Sequence, residues 1–197
     1  MSARLILASG SAIRREILEG AGLPHEVIIR PVDEAAIKAS MLAENSRLRD
    51  IADALAEAKA MRVSRQEQGL VIGADQIMVM DDTLFDKPKT MEEVRERLIS
   101  MRGKKHELVG AVVICENGFP VWRHVSRTKL WVRDFSDAFL DWYIETEGEA
   151  LMKSVGAYRF EGPGSQLFEK VDGDFFAILG LDLLPVLDYL RTRGVVL

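Results

Sequence analysis

Leu70-Val71-Ile72-Gly73-Ala74-Asp75-Gln76-Ile77-Met78-Val79-Met80 is an apolar run with an acid in its middle. Its β-branched content and its length predict a buried strand, which Asp81-Asp82 then turns. A chain that buries this run must also satisfy its carboxylate. An isolated buried charge costs several kcal/mol or more, so Asp75 has to be paired, hydrogen-bonded or bound to a metal. An aspartate near a strand end, bonded to backbone N–H groups, would meet the same need. The run alone leaves a structural acid and a functional one equally open.

Composition narrows the functions that such an acid could serve. The chain has 197 residues, 48% hydrophobic and 29% charged, which suits a globular protein with a sizeable core. No composition break marks a linker, so one domain spanning 1–197 is expected. The formal net charge of -5 argues against a nucleic-acid partner, since phosphate backbones select basic surfaces. A small phosphate compound stays possible if cations are gathered locally. Cys115 is the single cysteine, and His25, His106 and His124 lack metal-binding spacing. Any metal would be oxygen-liganded, which suits Mg²⁺ or Mn²⁺. The apolar stretch from Met1 to Leu7 is too short for a signal peptide, and no run could span a membrane. A cytoplasmic location without membrane contact is expected.

The periodicity predicts an α/β chain with parallel and antiparallel pairings. Strands are expected at 4–8, 25–30, 70–80 and 166–171, with a hairpin of 106–115 and 120–133 around Asn117-Gly118. Helices are expected at 14–21 with Gly22 as its stop, 46–65, 90–101 and 183–193, and after Ser136. Thr90 and Glu93 form a capping-box signature, and Pro185 sits in the first turn of the last helix.

Five places carry candidate chemistry. Ser9-Gly10-Ser11 links a strand to a helix that holds Arg14 and Arg15. Small residues let backbone N–H groups approach phosphate, and a helix N-terminus favours anions with roughly half a unit charge. Asp33-Glu34, read as lying in a loop, offers Glu34 as a metal ligand beside Asp75. Lys59 falls on the inward face of the long helix. Lys87, in Asp86-Lys87-Pro88-Lys89, can return over a site to hold a phosphate. Gly156 to Gly164 is a fixed irregular loop in which Glu161 could read a base edge. Each place has an ordinary structural explanation. Together, anion binders and carboxylates at strand ends are the inventory of metal-assisted phosphoanhydride hydrolysis.

The order of these motifs resembles the Maf family of nucleoside triphosphate pyrophosphatases over essentially the full length. The residues that carry the resemblance are Leu7-Ala8-Ser9-Gly10-Ser11 with Arg14, Asp33-Glu34, Glu57-Ala58-Lys59 and Ile72-Gly73-Ala74-Asp75. Lys87-Pro88, Gly103 with His106-Glu107, Gly156-Ala157-Tyr158 and Gly180-Leu181 complete them. The resemblance implies an elongated fold like that of inosine triphosphate pyrophosphatases, with a central mixed, twisted sheet and a cleft between two lobes. It implies hydrolysis of a nucleoside triphosphate to monophosphate and diphosphate with a divalent cation, Mg²⁺ or Mn²⁺. A homodimer is also implied. Asp75 matches the catalytic proton acceptor, and Glu34 with Asp75 would hold the metal. Ser9, Arg14, Lys59 and Lys87 match positions around the phosphates.

Three variable family positions sort the substrate and are here Ile13, Gln76 and Glu161. The branch acting on dTTP and UTP has Arg, Thr and Gln there, and the branch acting on 7-methyl-GTP has Trp, Gln and Glu. Gln76 and Glu161 align with the second branch, whereas Ile13 departs from both. Ala12 stands where the family has proline, and Lys153-Ser154 replaces an Asp-Lys pair of the pyrimidine branch. The expected substrate is therefore 7-methyl-GTP or another modified nucleotide. The alternatives are a dTTP/UTP pyrophosphatase, and a nucleotide-binding regulator of septum formation with little turnover.

Overall fold

The computed structural model describes residues 4–196. Its strands are β1 (Leu5–Leu7), β2 (Glu26–Val27), β3 (Leu70–Met80), β4 (Thr83–Phe85), β5 (Lys105–Glu116), β6 (Phe119–Val132) and β7 (Phe168–Asp172). Its helices are α1 (Ala12–Gly20), α2 (Glu34–Ala43), α3 (Leu48–Ser64), α4 (Met91–Met101), α5 (Asp137–Glu147), α6 (Phe175–Ile178) and α7 (Leu183–Thr192). The strands form one sheet in the order β2-β1-β3-β5-β6-β7, with β4 paired to β3. β1 is parallel to both β2 and β3, whereas β4 and β7 pair antiparallel, so the sheet is mixed as expected. Among the described residues, no helix is long and apolar enough to cross a membrane.

The chain divides into two compact units. The first comprises Met1–Gln76, Val109–Ser126 and Phe175–Leu197, and the second Ile77–Leu108 and Arg127–Asp174.

In the first unit, β1 sets its register by placing Leu5 opposite Leu70 and Leu7 opposite Ile72. Side chains alternate across a strand, so 70, 72 and 74 share one face of β3 while 73 and 75 share the other. Leu70, Ile72 and Ala74 join Leu18, Leu181, Val186 and Leu190 in an apolar cluster beneath α1 and α7. The opposite face receives α3, whose backbone comes unusually close. A Cβ on Gly73 would lie 2.2 Å from the Ala56 carbonyl oxygen and 2.7 Å from the Ala60 nitrogen. Gly73 therefore sets the spacing that lets Lys59 of α3 reach Asp75. Gly73→Ala is expected to lower the unfolding free energy by about 2 kcal/mol through overpacking. Urea unfolding measures this, and an unchanged midpoint would mean that α3 does not rest on Gly73.

In the second unit, Asp81 and Asp82 both take positive φ, 50° and 59°, and make the tight turn into β4. Thr90 caps α4 by accepting from the Glu93 N–H at 3.2 Å. Glu93 returns to the Lys89 N–H at 2.7 Å, one residue before the cap, so the capping box is slightly displaced. Ser136 caps α5 through the Phe139 N–H.

Three expectations need correction, and one strand lies beyond them. The 25–30 strand shrinks to Glu26–Val27, because exposed Ile29 and its neighbours carry little ladder. β4 is an additional short strand, and the first helix starts at Ala12 rather than Arg14. Asp33-Glu34 is not a loop. Asp33 is the N-cap of α2, its Oδ1 accepting from the Ala36 N–H at 2.9 Å, and Glu34 opens the first turn. The helix is hard to read from sequence because its apolar residues, from Ala35 to Ala43, run nearly all round it instead of forming one stripe, and none of them is buried.

Candidate active site

β1 delivers the chain to Ser9, which is buried, and α1 then carries Arg14 back over it. The Ser9 hydroxyl oxygen accepts from the Ser11 N–H at 3.3 Å and from Arg14 Nη1 at 3.1 Å. Arg14 Nη1 also donates to the Ala74 carbonyl at 2.7 Å, and its Nε to the Gly180 carbonyl at 2.8 Å. The guanidinium thus locks the loop, β3 and the segment before α7 together. Burial lowers the Arg14 pKa from its usual value, and the charges of Asp75 and Glu34 oppose that shift.

Lys59 is the centre of the arrangement. Its Nζ donates to Asp75 Oδ1 at 2.6 Å and sits 2.9 Å from Glu34 Oε2. Asp75 is 8% exposed, so this ion pair answers the demand that the strand placed on its carboxylate. Three residues from α2, α3 and β3 converge on one point. Of the sequence candidates, Ser9, Arg14, Glu34, Lys59 and Asp75 are joined within the first unit.

The specificity candidates of this unit behave differently. Ile13 is half-buried against the apolar cluster under α1. Gln76 Nε2 donates to the carbonyls of Ala177 and Ile178 at 2.8 and 3.2 Å. Its amide is therefore engaged with α6.

Lys87 and Glu161 lie in the second unit. Lys87 is exposed, beside buried Pro88. Glu161 Oε1 accepts from Arg159 Nε at 3.0 Å, and Arg159 Nη1 donates to Glu147 Oε2 at 2.9 Å. The loop around them is fixed by close approach, since a Cβ on Gly164 would meet the Tyr143 hydroxyl at 2.5 Å. That hydroxyl accepts from the Arg159 N–H at 3.1 Å.

Sequence reasoning missed Arg97. Its Nη1 donates to the carbonyls of Asp86 at 3.1 Å and Val155 at 2.6 Å, and the guanidinium stands 4.4 Å from the centre of the Phe85 ring. It ties the segment carrying Lys87 to the one leading into the Glu161 loop. The signal was present in the spacing. Arg97 shares the stripe of Val94, Leu98 and Met101 that α4 buries.

Among the described residues, no group of three or more His, Cys, Asp or Glu side chains could hold a metal. Glu34 and Asp75 nevertheless present two carboxylates to one cation, the Lys59 ammonium. Mg²⁺ is commonly held by one or two carboxylates together with substrate phosphates, so this donor set fits such an ion.

Comparison with known proteins decides the family. The Maf-like protein family matches residues 4–193. The chain belongs to it. A relative from Caulobacter vibrioides is 53% identical over 95% of this chain and 94% of its own length. Those from Hyphomonas neptunium and Maricaulis maris are 47% and 50% identical over 99% and 98% of this chain, and 98% and 97% of theirs. All three bear the name nucleoside triphosphate pyrophosphatase. In this Maf protein the matched region contains every candidate residue described above.

Proposed function

We propose that this protein is a cytoplasmic nucleoside triphosphate pyrophosphatase. It hydrolyses its substrate to the monophosphate and diphosphate and prefers 7-methyl-GTP. The observation that carries the reaction is the Lys59 ammonium shared by Asp75 and Glu34, beside the Ser9 loop. The names of its relatives support the same reaction.

Asp75 accepts the proton of a water that attacks the α-phosphorus. The bond from that phosphorus to the oxygen bridging to the β-phosphate breaks, and diphosphate leaves with the electron pair. Lys59 orients the Asp75 carboxylate and offers positive charge to the phosphates. Ser9 and the backbone of its loop receive phosphate oxygens, with Arg14 holding the loop in shape. Lys87 matches a family position around the phosphates, and the family resemblance alone supports that role. Glu34 and Asp75 would hold Mg²⁺ or Mn²⁺, which neutralises phosphate charge when bound.

The substrate preference is read from the identities of Glu161 and Gln76, which align with the 7-methyl-GTP branch of the family. A carboxylate can accept from the N1–H and N2–H₂ edge of guanine, and its charge suits the cationic base that N7 methylation creates. Arg159 holds Glu161 in place for that task.

The test is diphosphate release from 7-methyl-GTP, GTP, dTTP and UTP with Mg²⁺ or Mn²⁺. The highest kcat/KM is expected for 7-methyl-GTP. A maximum at dTTP or UTP would transfer the protein to the pyrimidine branch. Calorimetric binding without turnover would favour a regulatory role, and orthophosphate alone would refute the reaction.

A further inference from the structure

Lys59 Nζ serves two carboxylates at once. It donates to Asp75 Oδ1 at 2.6 Å and stands 2.9 Å from Glu34 Oε2. These are the two groups whose donor set fits a divalent ion, so an ammonium and a metal compete for them. The bridge is unequal at its two ends. Asp75 is buried and depends on a held cation, whereas the Glu34 side chain is half exposed. Glu34 rides on α2, of which no residue is buried, so water already solvates that end of the bridge.

The charge balance opposes a bare metal. Arg14 lies in the field of both carboxylates, whose charges oppose the fall that burial imposes on its pKa. Two anions and two cations therefore already cancel among Glu34, Asp75, Lys59 and Arg14. A divalent ion added to that set meets an excess of positive charge at short range, where screening by salt is weakest. Nucleotide phosphates reverse the balance. They bring the negative charge that the ion needs and a strong acceptor for the ammonium. Lysine suits such an exchange, because its ammonium is a point charge on a flexible four-carbon stem.

We propose that the Lys59 ammonium is a built-in competitor for the divalent ion. It bridges Glu34 and Asp75 until phosphates draw it away, and the two carboxylates then receive the metal that arrives with the nucleotide. Metal alone binds weakly, and metal and nucleotide bind cooperatively. This inference rests on the pyrophosphatase reading, and the two can fail separately.

The probe is Mn²⁺ alone, titrated into the full chain without nucleotide and followed by the paramagnetic resonance of the free ion. Lys59→Met keeps length and removes charge. It is expected to bind Mn²⁺ about tenfold tighter than the wild type, since a unit charge at short range is gone. Lys59→Arg, which keeps the charge, should stay near wild type. Arg95→Met removes the same charge from an exposed pair with Asp141 and should also stay near wild type. Adding Glu34→Gln to Lys59→Met should abolish the gain. Removing Lys59 leaves Asp75 without its cation, so Lys59→Gln, which retains an N–H donor, is measured beside it and should show the same gain. An unchanged or weaker affinity in either folded variant overturns the competition, as does an equal gain in Arg95→Met. The intact wild type supplies a further check. Mn²⁺ alone is expected to leave its thermal unfolding midpoint in place, because a ligand raises the midpoint only by binding the folded chain. A saturable rise at micromolar Mn²⁺ overturns the proposal. A wild-type chain that releases no diphosphate from any nucleotide overturns the pyrophosphatase reading instead.

Discussion

Asp75→Asn is expected to lower kcat for diphosphate release by about 10²- to 10⁴-fold, the usual worth of a positioned general base. The reason lies in how this carboxylate is held. Asp75 sits on the face of β3 that Gly73 opens to α3, and Lys59 Nζ meets its Oδ1 at 2.6 Å. Asparagine has the same shape, and its amide oxygen can still accept from Lys59. The packing is therefore kept while the capacity to take a proton from water is lost. A thermal unfolding midpoint close to wild type, with turnover collapsed, is the expected pair of results. Asp75 is also a proposed metal ligand, so the measurement is repeated across a Mg²⁺ titration. A deficit that persists at saturating Mg²⁺ belongs to proton transfer, and one that vanishes there belongs to metal affinity. Normal turnover in the variant at every Mg²⁺ concentration would remove Asp75 from the chemistry.

Much of this site was legible because the features that build it are periodic. The 70–80 strand appears at the bounds its β-branched run predicted. Asn117 and Gly118 both adopt the positive φ that a two-residue hairpin requires. Lys59 is inward, as its helical spacing implied, although its real companions on that face include Ala56 and Ala60, on which Gly73 packs. What stayed hidden depends on long-range partners. The apolar residues of α2 run round the helix and print no stripe, yet it delivers Glu34 to Lys59. The commitment of Gln76 to Ala177 and Ile178 joins residues about a hundred positions apart, and no local rule reveals it. Arg14 illustrates both sides. Its place behind a small-residue loop marked it as an anion binder, but the structure spends its N–H groups on Ser9, Ala74 and Gly180. Its effect on phosphate binding is thereby exerted through the shape of the loop.

Stability is expected to fall as the pH drops from about 6.5 to about 4, with His106 a principal cause. His106 is 1% exposed, with Nε2 2.9 Å from the Tyr158 hydroxyl and rings of Tyr158 and Phe168 against it. Its Nδ1 has no hydrogen-bond partner among the described residues. Burial pushes its pKa down from 6.5 to about 4, because this apolar setting desolvates an imidazolium. Between those two values the unfolded chain binds a proton that the folded chain refuses. The stabilisation is complete above 6.5, where both states are neutral, and is lost as the pH falls through about 4. A shift of this size corresponds to about 3 kcal/mol. His106→Gln keeps a polar partner for Tyr158 but does not titrate in this window. Urea unfolding of both proteins from pH 7 to pH 4 should show the wild type losing about 3 kcal/mol more than the variant. Carboxylates titrate in both chains alike and cancel in that difference. Parallel curves would show that His106 charges as readily in the folded chain as in the unfolded one, and that its burial beside Tyr158 carries no pH dependence.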